Sequence, residues 1–185
     1  MTRLLPAAVL TVVLSATLSA ELVAQTDDPN SRTNPACALL TQQELHDATG
    51  LDFGPAQPFD KVGKGVFGGA TCLWGGVWNQ DSAKSLPMIG VSFIPPRPRG
   101  SNTEYHLARK PQAGCTRETL RGLGDLAFAD TCEGTLAPSV SVYLKAGRND
   151  VFLSVGMIDE RRPLSWARPI ALTLAKAAAQ KAKKA

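Results

Sequence analysis

Histidine is nearly absent from this chain of 185 residues, which holds only His46 and His106. Any Ser-His-Asp arrangement must therefore be built on one of those two. No Gly-x-Ser-x-Gly elbow is present to carry a nucleophilic serine. Cys-x-x-Cys is missing as well, which removes a thioredoxin-type redox site. Structural zinc ligands come as pairs about two to four residues apart, and no two of the four cysteines stand that close. Neither a metal nor a cofactor is expected. Beyond the first twenty residues, no window is apolar enough to cross a membrane.

The chain opens Met1-Thr2-Arg3 and then runs without charge from Leu4 to Ala20, rich in Leu, Val and Ala. One positive residue, an apolar segment and small residues at its end are the parts of a secretory signal. Residues 1–20 are read as such a signal, cut after Ala20 or, as second choice, after Ala24. An apolar stretch of about 17 residues lies near the lower limit for a bilayer span, so an uncleaved anchor is the alternative. Residues 21–36 are expected to be a linker, because 24–35 are too poor in apolar side chains to pack. Residues 37–175 suffice for one core and not two. An alanine- and lysine-rich tail, 176–185, follows.

An export signal leads to an oxidising compartment, where an even cysteine count means bridges. Cys37, Cys72, Cys115 and Cys132 permit three pairings, and spacing alone does not choose. Loop closure slightly favours near neighbours, and each half of the chain carries one pair. That favours Cys37 with Cys72 and Cys115 with Cys132, each bridge stabilising by roughly 3 kcal/mol.

The formal charge of +4 suggests an acidic partner until its distribution is followed. Without Arg3, Lys176, Lys181, Lys183 and Lys184, the twenty basic residues fall to fifteen against sixteen acidic ones, leaving a body near −1. The basicity belongs to the tail. Such a tail can touch anionic envelope surfaces, or its lysines can simply favour the negative end of a helix dipole. No nucleic-acid partner is expected, and the oligomeric state is left open.

Thr41-Gln42-Gln43-Glu44 has the form of a capping box, and Gly50 is placed to end the helix that follows, so a helix is predicted over 42–49. Residues 51–69, with five glycines and two prolines, read as an exposed loop. Ala70 to Trp74 and Pro87 to Ile94 are β-prone and are expected to pair as a hairpin. A helix over 103–110 would turn Tyr105 inward with Ala108 or Leu107. Strand alternation resumes from Leu126 to Phe128. Val140, Val142 and Leu144, then Val151, Leu153, Val155 and Met157, form two further runs about a turn at 146–150. Pro163 to Lys184 closes the chain as a helix. Strands joined by tight turns are antiparallel, which makes the class α+β, helices on a mostly antiparallel sheet.

Several short motifs carry a resemblance. Pro35-Ala36-Cys37-Ala38-Leu39-Leu40-Thr41, Ala48-Thr49-Gly50, Gly69-Ala70-Thr71-Cys72-Leu73-Trp74 and Gly122-Leu123-Gly124-Asp125-Leu126-Ala127-Phe128, ahead of a Lys-Ala-Gly-Arg turn, resemble a family of small exported envelope domains of unknown function. Many of its members are actinobacterial lipoproteins. The resemblance spans roughly residues 35–160 and implies a Cys37–Cys72 bridge and an α+β sheet fold. It carries over no catalytic residue. Family lipoproteins anchor through a cysteine at the end of the signal, and none lies near Ala20 here.

Candidate chemistry is sparse. His46, beside Glu44 and Asp47, has the makings of a general base poised by a carboxylate, or is a surface histidine among surface charges. Gly122-Leu123-Gly124-Asp125 lacks the third glycine of a dinucleotide fingerprint and reads as a tight turn. Of Trp74, Trp78 and Trp166, Trp78 in Gly-Gly-Val-Trp-Asn-Gln has the best claim to face a ligand. The expectation is a non-enzymatic secreted or periplasmic envelope protein that binds a ligand or a protein partner. The alternative is a small hydrolase of an envelope polymer, using two of Glu44, Asp47, Asp52 and Asp125 about 5–10 Å apart.

Overall fold

Thr41 starts the first helix, α1 (Gln42–Thr49), as a capping box: its hydroxyl accepts from the Glu44 amide while the Glu44 carboxylate accepts from the Thr41 amide. Gly50 ends it at φ 68°, where a side chain would be strained. The computed structural model describes residues 34–59, 69–76, 86–96, 98, 100–133, 138–156 and 163–185. The expected signal, the linker up to residue 33, Trp78 and Met157 lie outside the described residues.

Seven strands follow: β1 (Gln57–Pro58), β2 (Ala70–Trp74), β3 (Met88–Ile94), β4 (Cys115–Leu120), β5 (Leu126–Cys132), β6 (Ser139–Ala146) and β7 (Asn149–Gly156). They form one sheet in the order β1-β2-β3-β7-β6-β5-β4, every pair antiparallel. The class is α+β. The chain leaves the middle of the sheet after β3 and returns at its edge as β4, carrying α2 (Asn102–Leu107) on the way. The last helix is α3 (Leu164–Ala182).

Alternation along the strands gives the sheet two unlike faces. One presents Val140, Val142 and Leu144 of β6 beside Val151, Leu153 and Val155 of β7, all buried. α3 lies across these two strands and also touches α1 and the short 3-10 turn Cys37–Leu39. Its buried positions are mostly alanine, Ala167, Ala171, Ala175, Ala178 and Ala182, together with Ile170 and Leu174. So small a contact stripe brings the helix backbone close to the valines beneath it. α2 sits against β5, β6 and β7, and its sheet partners Asp150 and Arg117 belong to the opposite face.

Both disulfides form as favoured, Cys37–Cys72 and Cys115–Cys132. The first ties the 3-10 turn to β2. The second joins directly opposite residues of β4 and β5. The expected hairpins are present: β2 pairs with β3, and β6 turns into β7 through Gly147-Arg148 with Gly147 at φ 64°.

Four expectations need correction. The linker does not reach residue 36: Asn34 is buried, accepts from the Ala36 amide and donates to the Thr71 carbonyl, so one short polar side chain docks what composition marks as loose. The domain does not stop at residue 175: the last turns of the expected closing helix are docked on it, with Ala178, Ala179 and Ala182 buried and Lys181 paired with Glu44 of α1. Tyr105 does not point inward. It is half exposed, and the buried residues of α2 are Asn102 and Thr103. The loop expected over 51–69 contains β1, paired with β2.

Candidate functional site

Beneath α2, the sheet carries a row of aromatic rings across three strands. Phe128 of β5 stacks on Tyr143 of β6 with centroids 4.6 Å apart, and Tyr143 leans on Phe152 of β7 at 4.8 Å. These residues are directly opposite in the register, so pairing alone brings the rings together. The His106 ring of α2 closes over Tyr143 at 5.2 Å. At the sheet edge, the Arg117 guanidinium lies 4.3 Å above the Phe128 ring.

Arg117 is the centre of the polar network. Its Nε and Nη2 donate to the two carboxylate oxygens of Asp130 at 2.6 and 2.7 Å, a bidentate pair with both side chains mostly buried. Its Nη1 donates to the carbonyls of His106 and Arg109, at the C-terminal end of α2. At the other end, the Asp150 carboxylate accepts from the Ser101 hydroxyl and from the Asn102 and Thr103 amides. Ser101 and Glu104 add a capping box. A negative group therefore sits at the positive end of the helix and a positive group at its negative end.

The electrostatics of this cluster keep its ionisable rings neutral. Burial, reinforced by the Asp130 charge, pushes the Tyr143 hydroxyl up to about 12. Burial and then the charges of Arg109 and Arg117 lower His106 below its ordinary value. The hydrogen bonds from Arg117 to Asp130 raise the Arg117 guanidinium further. Tyr143 stays neutral, His106 is held toward its neutral form, and the two charged groups neutralise each other.

The structure brings one pair of the sequence candidates into contact, His46 and Asp52, and gives each of the other acids a partner of its own. The Glu44 carboxylate accepts from Lys181 and Thr41. Burial opposes its ionisation, but the Lys181 and Thr41 hydrogen bonds win and lower it. Asp47 accepts from Gln43 on the same helix. His46 Nδ1 lies 2.9 Å from Asp52, with the Asp52 side chain 95% exposed, so that pair is a surface contact. Asp125 is in the β4–β5 turn and accepts from the Gly147 amide, pinning that turn to the next hairpin. Gly124 beside it, at φ 68°, has no room for a Cβ because the Lys145 carbonyl occupies the place. The Gly-Leu-Gly-Asp motif is thus a turn.

Of the tryptophans, Trp74 is buried in the core and Trp166 packs against it. No group of His, Cys, Asp and Glu among the described residues could hold a metal ion.

The aromatic and ionic cluster was not foreseen from the sequence, although a signal for it exists. Once Cys115 is set opposite Cys132, antiparallel counting sets Arg117 opposite Asp130.

The fold and its bridges define a disulfide-stapled α+β domain built on one seven-stranded antiparallel sheet. No protein-family model matches the chain, and neither curated proteins nor solved structures give a match. Two disulfides suit an oxidising environment. No described helix is long and apolar enough to cross a membrane.

Proposed function

We propose that this chain is an exported, non-enzymatic module that binds a ligand or protein partner in the cell envelope. The observation that carries the reading is the employment of its carboxylates. Every described Asp and Glu except Glu133 has its side chain in a helix cap, a turn, an ion pair or a side-chain hydrogen bond: Glu44, Asp47, Asp52, Glu104, Glu118, Asp125, Asp130 and Asp150. A glycosidase needs one carboxyl whose pKa is raised so that it can act as an acid. Glu44 and Glu104 are lowered instead, Glu104 chiefly by the hydrogen bond from Lys145. These facts count against the paired-carboxylate hydrolase.

The signal-like first twenty residues and the motifs resembling exported envelope domains support the compartment. Lys183 and Lys184 stay exposed at the end of α3 and offer a contact for an anionic envelope polymer.

The test is to incubate the purified protein with isolated envelope material at low and high salt, then follow both sedimentation and release of soluble fragments. Retention that weakens with salt, without fragments, is expected. Release of fragments that stops in Glu44→Gln or Asp125→Asn would overturn the proposal.

A further inference from the structure

The two disulfides sit in different settings. Cys37 and Cys72 are buried at 3% and 0% exposure beneath the helical layer. Cys115 and Cys132 are only half-buried and close the open end of the β4–β5 hairpin. β4 is an edge strand, and β5 is its one partner among the described strands. The bridge clamps that end of the edge covalently, with one backbone bond beyond it, from the Glu133 amide to the Gly114 carbonyl.

Fraying there has a defined consequence. Arg117 lies two residues inside Cys115, and its guanidinium ties the carbonyls of His106, Leu107 and Arg109 to the sheet. With only Asn102 and Thr103 of α2 buried, the helix has little apolar anchorage to replace that tie. We propose that Cys115–Cys132 is a redox switch: its reduction frees the end of β4, withdraws Arg117 and loosens α2 over the ring of Tyr143.

The reductant is a dithiol. Its thiolate attacks one sulfur of the bridge, the Cys115–Cys132 bond breaks, and the other cysteine leaves as a thiolate that takes up a proton. The second thiol of the reductant then attacks its own sulfur in the mixed disulfide and releases the first cysteine. Two electrons pass from the dithiol, which becomes a disulfide, to two cysteine thiols. Access governs this exchange, so the partly exposed bridge reacts before the buried one.

The experiment is graded reduction of the full chain with dithiothreitol, alkylation and mass spectrometry, with hydrogen exchange read on the same samples. Cys115 and Cys132 are expected to be alkylated while Cys37–Cys72 remains intact. In that singly reduced form, amides of 104–109 should exchange about tenfold faster, with α3 unchanged. Simultaneous reduction of both bridges, earlier loss of Cys37–Cys72, or unchanged exchange at 104–109 would each overturn the switch. The double variant Cys115→Ser, Cys132→Ser should show the fast pattern without reductant, and protected 104–109 amides in it would also overturn the proposal. Should that variant not fold, the wild-type reduction decides.

Discussion

Asp150 on β7 and Arg117 on β4 hold opposite ends of α2, the carboxylate accepting from the first amides and the guanidinium donating to the last carbonyls. A helix of six residues is too short to persist by itself. Its existence here depends on those two side chains, which satisfy backbone groups that the helix cannot satisfy internally.

Asp150→Asn keeps the shape of the side chain but removes its charge and one acceptor at a buried position. Stability should fall by about 2 kcal/mol. Urea unfolding would report this as a lower midpoint at an unchanged slope.

Asp130→Ala leaves the Arg117 guanidinium mostly buried without its carboxylate. Breaking such a pair from one side costs about 3 kcal/mol. Arg117→Met combined with Asp130→Leu should be no less stable than Arg117→Met alone, since the second change then strands no charge. A double-mutant cycle measured by urea unfolding checks this, and additive losses would contradict it.

Tyr143 gives the stability a pH dependence on the alkaline side. Its hydroxyl titrates at about 12 when folded and near 10 in an unfolded chain, so the unfolded state loses the proton first. The contribution is full below pH 10 and disappears as pH rises from 10 to 12. His106 acts on the other side: lowered by burial, it adds stability above pH 6.5 that is lost as pH falls through its folded value. Thermal melts across both ranges should lose the alkaline slope in Tyr143→Phe and flatten the acid slope in His106→Gln.

Ala175 tests the close approach of α3. It is fully buried among the alanines that face the sheet. Ala175→Leu should cost about 2 kcal/mol by overpacking, whereas Lys176→Ala, on the exposed side of the same helix, should change stability by less than about 0.5 kcal/mol. Comparison of their melting temperatures decides.

Local chemistry was legible wherever the deciding atoms are near in sequence. The Thr41 capping box and Gly50 bound α1 because each acts within a few residues. The β6–β7 hairpin was readable from alternating valines about a short turn. Ser101-Asn102-Thr103-Glu104 carries the same capping signal as Thr41 and would have placed the start of α2 one residue earlier than its apolar pattern did. β4 was not readable, because Cys-Thr-Arg-Glu-Thr-Leu has almost no apolar side chain to bury. It is a strand because β5 offers a hydrogen-bonding edge, and its charges suit the rim of a sheet.

By itself, then, the sequence determined the α+β class, the first helix, two hairpins and the cysteines available for bridging, all consequences of periodicity and short-range capping. Tertiary structure decided the rest. It docked an alanine-lysine helix end, gave Asn34 a buried partner and engaged each candidate acid in a hydrogen bond. It also assembled Arg117, Asp130, His106 and Tyr143 around one helix. These outcomes depend on which faces meet across the sheet, and contacts between residues far apart in the chain leave no period in its sequence.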